Sequence, residues 1–298
     1  MSEINVDLKE DSLSTDEKNA FEEARQQIQN NKPPQPRVTD FTSNNAGFKI
    51  PTDFVKLPSG GRVYPVGSAL YNLKEVELRY LTAADEDILT SRSLLRSGTA
   101  LDKVLENCLI DKRIRPDELI SGDKNALITF LRVNGYGPKY KVSMNCPSCA
   151  EEQLYEFDLS TIQMKELEIE PIAEGVNRFS FQMPSGTDIE FHFLNSRQEK
   201  DISDIQEKLK KRTNSPIDRT VTTRLKNLIV SVNGNEDPSF INQYVDTLNV
   251  MDSRSLRNYI EKNVPDLDMK GDFSCVHCGH KEEVDIPITV SFFWPDTE

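Results

Sequence analysis

Two cysteine pairs of the same spacing constrain this chain more than any other feature of its sequence. Cys146 and Cys149 stand in KVSMNCPSCAEEQLYEF, and Cys275 and Cys278 stand in GDFSCVHCGHKEEVDI. The residues on both sides of each pair alternate between apolar and polar side chains, which is typical of β-strands. The sequence therefore predicts two β-hairpins, each with a C-x-x-C turn at its tip.

Two C-x-x-C turns that face each other can place four thiolates around one tetrahedral Zn²⁺. We therefore predict one structural zinc, ligated by Cys146, Cys149, Cys275 and Cys278. Gly279 suits a turn that needs positive φ, whereas Ala150 in the first turn suits it less well.

Three other interpretations of the cysteines stay open at this point. A redox dithiol would stand at a strand-to-helix junction, a catalytic zinc would keep one position open, and two separate pairs could bind nothing. His277 and His280 could replace a cysteine as ligand, although we interpret them as exposed polar residues beside the metal. The predicted strands around both pairs and the presence of four thiols favour the structural zinc.

Composition and charge narrow the classes of function. The chain has 298 residues, 37% of them hydrophobic, and a net charge of −13. No stretch approaches the ~18 apolar residues of a membrane helix, and the N-terminus has no signal-peptide profile, so we expect a cytoplasmic protein. An acidic chain is poorly suited to the phosphate backbone, and we expect no nucleic acid and no membrane as partner.

The sequence shows no motif of an active site. Phosphate-binding glycine loops, the zinc-protease motif and the nucleophile elbow are all missing from it. The fifth cysteine, Cys108, stands among leucine and valine residues at helical spacing, which predicts a buried small apolar side chain. We therefore expect no enzymatic activity and no small-molecule substrate.

The same series of sequence segments occurs twice along the chain, once in each half. LPSG and EVELRYLTAADEDIL in the first half are matched by MPSG and DIEFHFLNSRQEKDI in the second. Thr82 and Asn195 stand at equivalent places and predict helix N-caps, with the acids of TAADED facing solvent on the first turn. An internal duplication or a recurring supersecondary plan explains the match, with chance similarity as the alternative.

These patterns predict an α+β fold of two related helix-plus-hairpin halves, joined by a four-cysteine site resembling a zinc ribbon. Residues 1–50 are predicted to be a disordered, acidic N-terminal arm and linker, with a short helix near residues 14–29. The first half covers residues 51–160 and ends in the CPSC knuckle. The second covers residues 161–298 and ends in the CVHC knuckle.

Two segments have alternative interpretations. The N-terminal arm either docks onto a partner or is a solvated tail. The C-terminal segment ITVSFFWP contains Phe292, Phe293 and Trp294, which either pack in the core or anchor a partner.

The ordered part of the chain resembles the baseplate hub family of T-even-type, contractile-tailed bacteriophages. The resemblance is carried by LPSGGRVYP, VELRYLTAADEDIL, LLRSGTALDKVLENCL, GDKNALITFLRVNGYGPKYKVSMNCPSCAEE, DSRSLRNYIEKNVPDLDM and CVHCGHKEEVDIPITVSFFWP. It implies a non-enzymatic virion component or assembly chaperone of the tail baseplate hub. The implied partners are other hub and tail proteins, with self-association as a further option. The implied locations are the host cytoplasm during assembly and the virion tail.

Two rival functions remain at the level of sequence. A zinc-ribbon regulator that binds nucleic acid would use the same four cysteines, but the acidic charge counts against it. A thiol oxidoreductase would use one C-x-x-C pair, but strands rather than a helix are predicted around both pairs.

Overall fold

A computed structural model of the chain describes residues 50–213, 219–286 and 292–293, with the backbone alone over residues 209–213. The first half contains β1 (Thr52–Lys56), β2 (Glu75–Arg79), α1 (Ala83–Leu89), α2 (Arg92–Arg96), α3 (Ala100–Cys108), α4 (Ser121–Tyr136), β3 (Lys139–Asn145) and β4 (Glu152–Asp158). After a 3₁₀ turn (Leu159–Thr161) follow β5 (Gln163–Lys165), β6 (Phe179–Gln182), β7 (Asp188–Phe191), α5 (Ser196–Thr213), α6 (Thr220–Leu228), β8 (Ile229–Val232), α7 (Pro238–Thr247), α8 (Val250–Asn263), β9 (Asp266–Asp268), β10 (Lys270–Ser274) and β11 (Lys281–Asp285).

This mixture of helices and small antiparallel sheets confirms the predicted α+β class. The sheets pair β1 with β2, β3 with β4, β5 with β9 and β10 with β11, while β6, β7 and β8 form a three-stranded sheet. Among the described residues, no helix is long and apolar enough to cross a membrane. The predicted N-terminal arm, with its helix near residues 14–29, lies outside the described residues.

The order of elements recurs in the two halves, as the sequence predicts. In each, a hairpin leads into a capped helix, and the chain then returns beside the second strand of the hairpin. Leu109 after α3 forms an antiparallel bridge with Leu78, and Ile229 after α6 pairs with Phe191. A long helix then leads to a C-x-x-C hairpin, from α4 to β3–β4 in the first half and from α8 to β10–β11 in the second.

A serine-to-aspartate contact fastens the tight turn of each half to its long helix. Asp123, in the first turn of α4, accepts hydrogen bonds from the Ser59 N–H at 2.9 Å and the Ser59 hydroxyl at 2.6 Å. In the second half the Ser185 N–H donates to Asp252 in the first turn of α8 at 3.2 Å. Asp123 also accepts from the Tyr64 hydroxyl at 2.6 Å, and burial raises the pKa of this carboxyl.

The predicted N-caps are also present. The Asn195 side chain accepts from the Gln198 N–H at 2.9 Å, and the Gln198 side chain accepts from the Asn195 N–H at 3.0 Å, which is a capping box. Thr82 and Asp85 form the equivalent pair at α1, where the Asp85 carboxylate accepts from the Thr82 N–H at 2.9 Å.

The expectation that the acids of TAADED face solvent is wrong for Asp85. Its side chain is buried because the capping geometry turns it back toward β2, where Arg79 donates two hydrogen bonds at 2.6 and 2.8 Å. Burial raises the pKa of Asp85, but the hydrogen bonds from Arg79 and Thr82 outweigh burial and hold it below its usual value. Glu86 and Asp87 do face solvent.

One hydrophobic core runs through both halves. An antiparallel bridge between Ile120 and Asn195 joins them, and the Ser121 N–H donates to the Leu194 carbonyl at 3.3 Å. Gly122 lets α4 approach the second half closely, since a Cβ there would lie 1.9 Å from the Pro265 carbonyl oxygen. The division of the chain after residue 160 stays a prediction.

Two C-terminal aromatic residues pack in this core. Phe292 is 0% exposed and Phe293 is 2% exposed. The Phe292 ring stands edge-on to Tyr140 with centroids 5.1 Å apart, and the Phe293 ring packs likewise against Tyr136 at 6.3 Å. These two residues are therefore core rather than partner anchors, whereas Trp294 lies outside the described residues.

Replacing Phe292 by alanine should lower the free energy of unfolding by about 3–5 kcal/mol, the usual cost of removing a buried aromatic ring. The ring is enclosed by Tyr140, Phe293 and the Arg132 side chain, so the site cannot collapse easily. Phe240→Ala is the matched control, because 41% of that side chain is exposed. Equal losses for the two variants in urea unfolding would contradict the buried position of Phe292.

Candidate metal centre

The two C-x-x-C turns have the same backbone structure. In the first, the Cys146 N–H donates to the Glu151 carbonyl at 2.9 Å, and the Ala150 N–H donates to the Cys146 carbonyl at 2.9 Å. In the second, the Cys275 N–H donates to the His280 carbonyl at 2.8 Å, and the Gly279 N–H donates to the Cys275 carbonyl at 3.0 Å. Each turn closes a two-stranded antiparallel hairpin, as the sequence predicts.

The residue after the second cysteine of each pair has a left-handed backbone. Ala150 has φ +60° and Gly279 has φ +73°. This conformation costs a non-glycine residue about 1–2 kcal/mol, so the first turn carries strain that the second avoids. The sequence argument that Gly279 fits the turn better than Ala150 is consistent with these angles.

The four sulfur atoms of the two turns meet at one point. The Sγ atoms of Cys146 and Cys278 lie 3.7 Å apart, as do those of Cys149 and Cys275, and all four lie within 4.8 Å of one another. The prediction that the two pairs meet in space is confirmed.

These distances fit a zinc ion. Four sulfurs at the usual Zn–S distance of about 2.3 Å stand about 3.8 Å apart in a tetrahedron. A disulfide would need about 2.05 Å between two sulfurs, well below the 3.7 Å of the contacts between the hairpins. The four cysteines are therefore close enough to bind one metal ion, and their assignment as zinc ligands stays a prediction.

Backbone N–H groups point at the sulfurs, as thiolate ligands require. The Ser148 N–H lies 3.4 Å from the Cys146 sulfur, and the His277 N–H lies 3.4 Å from the Cys275 sulfur. Donation from the N–H groups of Cys278 and His277 lowers the pKa of Cys275 to about 6.

The neighbouring thiols also oppose the ionisation of Cys149. The Glu151 N–H favours the thiolate of Cys149, but desolvation and the three neighbouring sulfurs raise the pKa of Cys149 to about 12. A divalent cation removes this opposition, because it stabilises every coordinating thiolate.

Polar and aromatic side chains hold the hairpins against each other. The Gln153 amide donates to the Ser274 carbonyl at 3.2 Å and accepts from the Val276 N–H at 3.1 Å. The Tyr155 hydroxyl donates to the Asp272 carbonyl at 2.6 Å, and its ring packs on Phe273 with centroids 5.2 Å apart. The sequence pattern predicted the strand β4 but not these contacts, because each joins residues more than a hundred positions apart.

The remaining candidates stay outside the sulfur cluster. Among the described residues, the cluster of potential ligands contains the four cysteines alone. His277 is exposed, and the His280 ring lies 2.9 Å from the Glu282 carboxylate, in line with their interpretation as polar surface residues. Cys108 is buried in the core, as predicted, and burial raises its pKa to about 12.

Comparison with known proteins identifies one family. The family model described as T4 bacteriophage base plate protein matches residues 50–294, which is most of the chain and includes both cysteine pairs. No curated protein and no solved structure matches the chain.

Changing any one of the four clustered cysteines to serine should release the metal. Structural zinc contributes about 10–16 kcal/mol of apparent binding free energy in small domains, and this energy is coupled to folding. We expect Cys146→Ser and Cys278→Ser to lose about one zinc per chain in elemental analysis and to unfold at lower urea concentration. Cys108→Ser is the matched control and should keep its zinc. Wild-type protein that is purified under reducing conditions and contains no zinc in elemental analysis would contradict the site.

The two turns offer a reciprocal test of backbone strain. Ala150→Gly should raise stability by about 0.5–1 kcal/mol, because the relief of left-handed strain exceeds the added chain entropy of glycine. Gly279→Ala should lower stability by a similar amount, since an added Cβ meets no described atom within 4 Å and the backbone alone carries the cost. Urea unfolding of the zinc-loaded variants measures both, and shifts of the same sign would contradict the assignment.

Proposed function

Because this chain belongs to the T4 bacteriophage base plate protein family, we propose that it is a non-enzymatic structural or assembly protein of the tail baseplate hub. The family match over residues 50–294 carries this proposal. Family membership implies association with the virion tail and contact with other baseplate proteins. Within the baseplate, we propose the hub as its location and a chaperone-like role in building the hub.

The four cysteines hold a structural Zn²⁺ in this proposal. All-thiolate sites with four protein ligands are closed, whereas a catalytic zinc keeps a position for water or substrate. The chain's own residues orient the site: backbone N–H groups stabilise the thiolates, and Gln153 and Tyr155 keep the hairpins in register. The metal supplies a cross-link between the ends of the two halves.

The proposed partners are other hub and tail proteins, with self-association as a second mode of contact. Assembly would take place in the host cytoplasm, before the protein either enters the virion tail or leaves the finished hub. Net charge supports protein partners over nucleic acid, because a chain with a charge of −13 repels a phosphate backbone.

A zinc-ribbon regulator that binds nucleic acid is the second candidate, since paired C-x-x-C hairpins also occur in that class. Salt-dependent retention of the zinc-loaded protein on DNA would favour it. A thiol oxidoreductase is a weaker third candidate, because both C-x-x-C pairs lie between strands. Reduction of insulin disulfides that is lost on alkylation would favour that activity.

Mass spectrometry of purified phage particles, and of the assembly intermediates that precede them, tests the proposal. A virion component should appear in both at a fixed ratio to other baseplate proteins, and an assembly factor in the intermediates alone. Phage carrying Cys146→Ser should yield at least about tenfold fewer infectious particles than wild-type phage. Cys108→Ser phage should assemble normally. Normal yield from Cys146→Ser phage that lack this zinc would contradict a structural role for the metal, and absence from both preparations would contradict the baseplate role.

A further inference from the structure

The long helices α4 and α8 begin at equivalent places in the two halves. Asp123 in α4 and Asp252 in α8 each accept a hydrogen bond from the serine of the tight turn in their own half. The chain from each aspartate to the first cysteine of the following C-x-x-C turn also has the same length. The halves therefore align without a gap over this stretch, and Gly122, the residue before Asp123, corresponds to Met251, the residue before Asp252.

The second half covers the start of α4. Ile120, directly before this helix, forms an antiparallel bridge with Asn195, directly before α5. Gly122 is buried, and a Cβ there would lie 1.9 Å from the carbonyl oxygen of Pro265, which follows α8. The helix start of the first half is thus received by the second half between Asn195 and Pro265, and a glycine makes the close approach possible.

The start of α8 is left open. Val250 is 79% exposed and Met251 is 66% exposed, so two large apolar side chains stand side by side in solvent. Asn249, the equivalent of Ile120, forms no bridge of the kind that Ile120 forms, as far as the described residues show. Neighbouring exposed apolar side chains mark a contact surface more often than scattered ones do.

Elsewhere the two halves contact each other reciprocally. Cys146 lies 3.7 Å from Cys278, and Cys275 lies 3.7 Å from Cys149, so the two sulfur contacts between the hairpins are equivalent. At the helix starts the contact is one-sided, because the second half receives α4 while α8 stays exposed. One pair of matching surfaces is therefore left unused within the chain.

The surface of the first half that corresponds to the receiving site contains two glycines. Thr82 is the equivalent of Asn195, and Tyr136 is the equivalent of Pro265. Gly135 and Gly137 flank Tyr136, and Gly135 is exposed. A Cβ on Gly137 would meet no atom within 4 Å, so the space beside it is open.

We propose that Val250 and Met251 of one chain bind between Thr82 and residues 135–137 of a second copy of this chain. Residue size supports this pairing. In the contact within the chain, the small residue is on the helix start and larger ones are on the receiving side. In the unused pair of surfaces, the large residues are on the helix start and the glycines are on the receiving side.

The repeat of an existing contact is the reason to choose a second copy over another protein as the occupant. Every copy carries one surface of each kind, so the contacts can close into a dimer or a ring. The inference rests on the self-association included in the proposed function and assigns the surface that carries it.

Sedimentation velocity of the full-length, zinc-loaded protein at up to about 100 µM measures the association. We expect the wild-type protein to form oligomers and Met251→Glu to raise the Kd at least about tenfold, because the contact would bury an unpaired charge. Phe240→Glu is the matched control, since it puts the same charge on an exposed apolar residue in the first turn of α7, and it should associate like the wild type.

Circular dichroism should show both variants folded, because the two side chains are exposed in the single chain. A monomeric wild-type protein, or the same Kd for Met251→Glu and Phe240→Glu, would overturn the proposal. Particle mass spectrometry tests the baseplate role separately, so a failure here leaves that role standing.

Photo-crosslinking locates the receiving surface. Isotopically labelled and unlabelled chains are mixed, with p-benzoylphenylalanine at position 251, so that crosslinks between chains are recognised. We expect them to reach peptides that contain Thr82 or residues 135–137, and the same probe at position 240 should give several-fold fewer. Crosslinks within one chain, crosslinks to other elements, or equal yields from the two positions would overturn the proposal.

Discussion

Four sulfur atoms at the tips of two hairpins bring together segments that lie far apart in the sequence. Cys149 and Cys275 are separated by 126 residues, yet their sulfurs lie 3.7 Å apart. A two-stranded hairpin is at best marginally stable alone, and each hairpin here has its partner as a second layer. Closing a long loop costs free energy that grows only with the logarithm of its length, which one metal site can offset.

The sulfur cluster is not the sole connection between the halves. Ile120 and Asn195 bridge them through backbone hydrogen bonds, and Gly122 brings α4 against Pro265. Phe292, which follows the second hairpin, packs against Tyr140 at the start of the first. Because these contacts belong to one shared core, we expect loss of metal to loosen the hairpins before the helices separate.

The two halves share individual hydrogen bonds as well as the order of their helices and strands. The same serine-to-aspartate bond, the same capping box and the same pair of turn hydrogen bonds occur in each. The halves differ where single residues differ. Ala150 has a strained backbone, whereas Gly279 at the equivalent position does not. The Tyr64 hydroxyl donates a further hydrogen bond to Asp123, the aspartate of the first half.

The sequence by itself determined the features that depend on neighbours along the chain. Alternating side chains predicted the strands around both cysteine pairs, and Thr82 and Asn195 predicted the helix starts, because strand alternation and capping are local effects. Fixed C-x-x-C spacing also predicted that four thiols would meet, since one tetrahedral ion needs all four.

Only the tertiary structure decided the features that depend on distant partners. Phe292 entered the core because Tyr140 and Arg132, far earlier in the chain, form the site that receives its ring. Gln153 joined the hairpins because its amide could satisfy one carbonyl and one N–H of the other knuckle. A local pattern cannot specify such contacts, because the free energy of burying a side chain is set by the partner it meets in space.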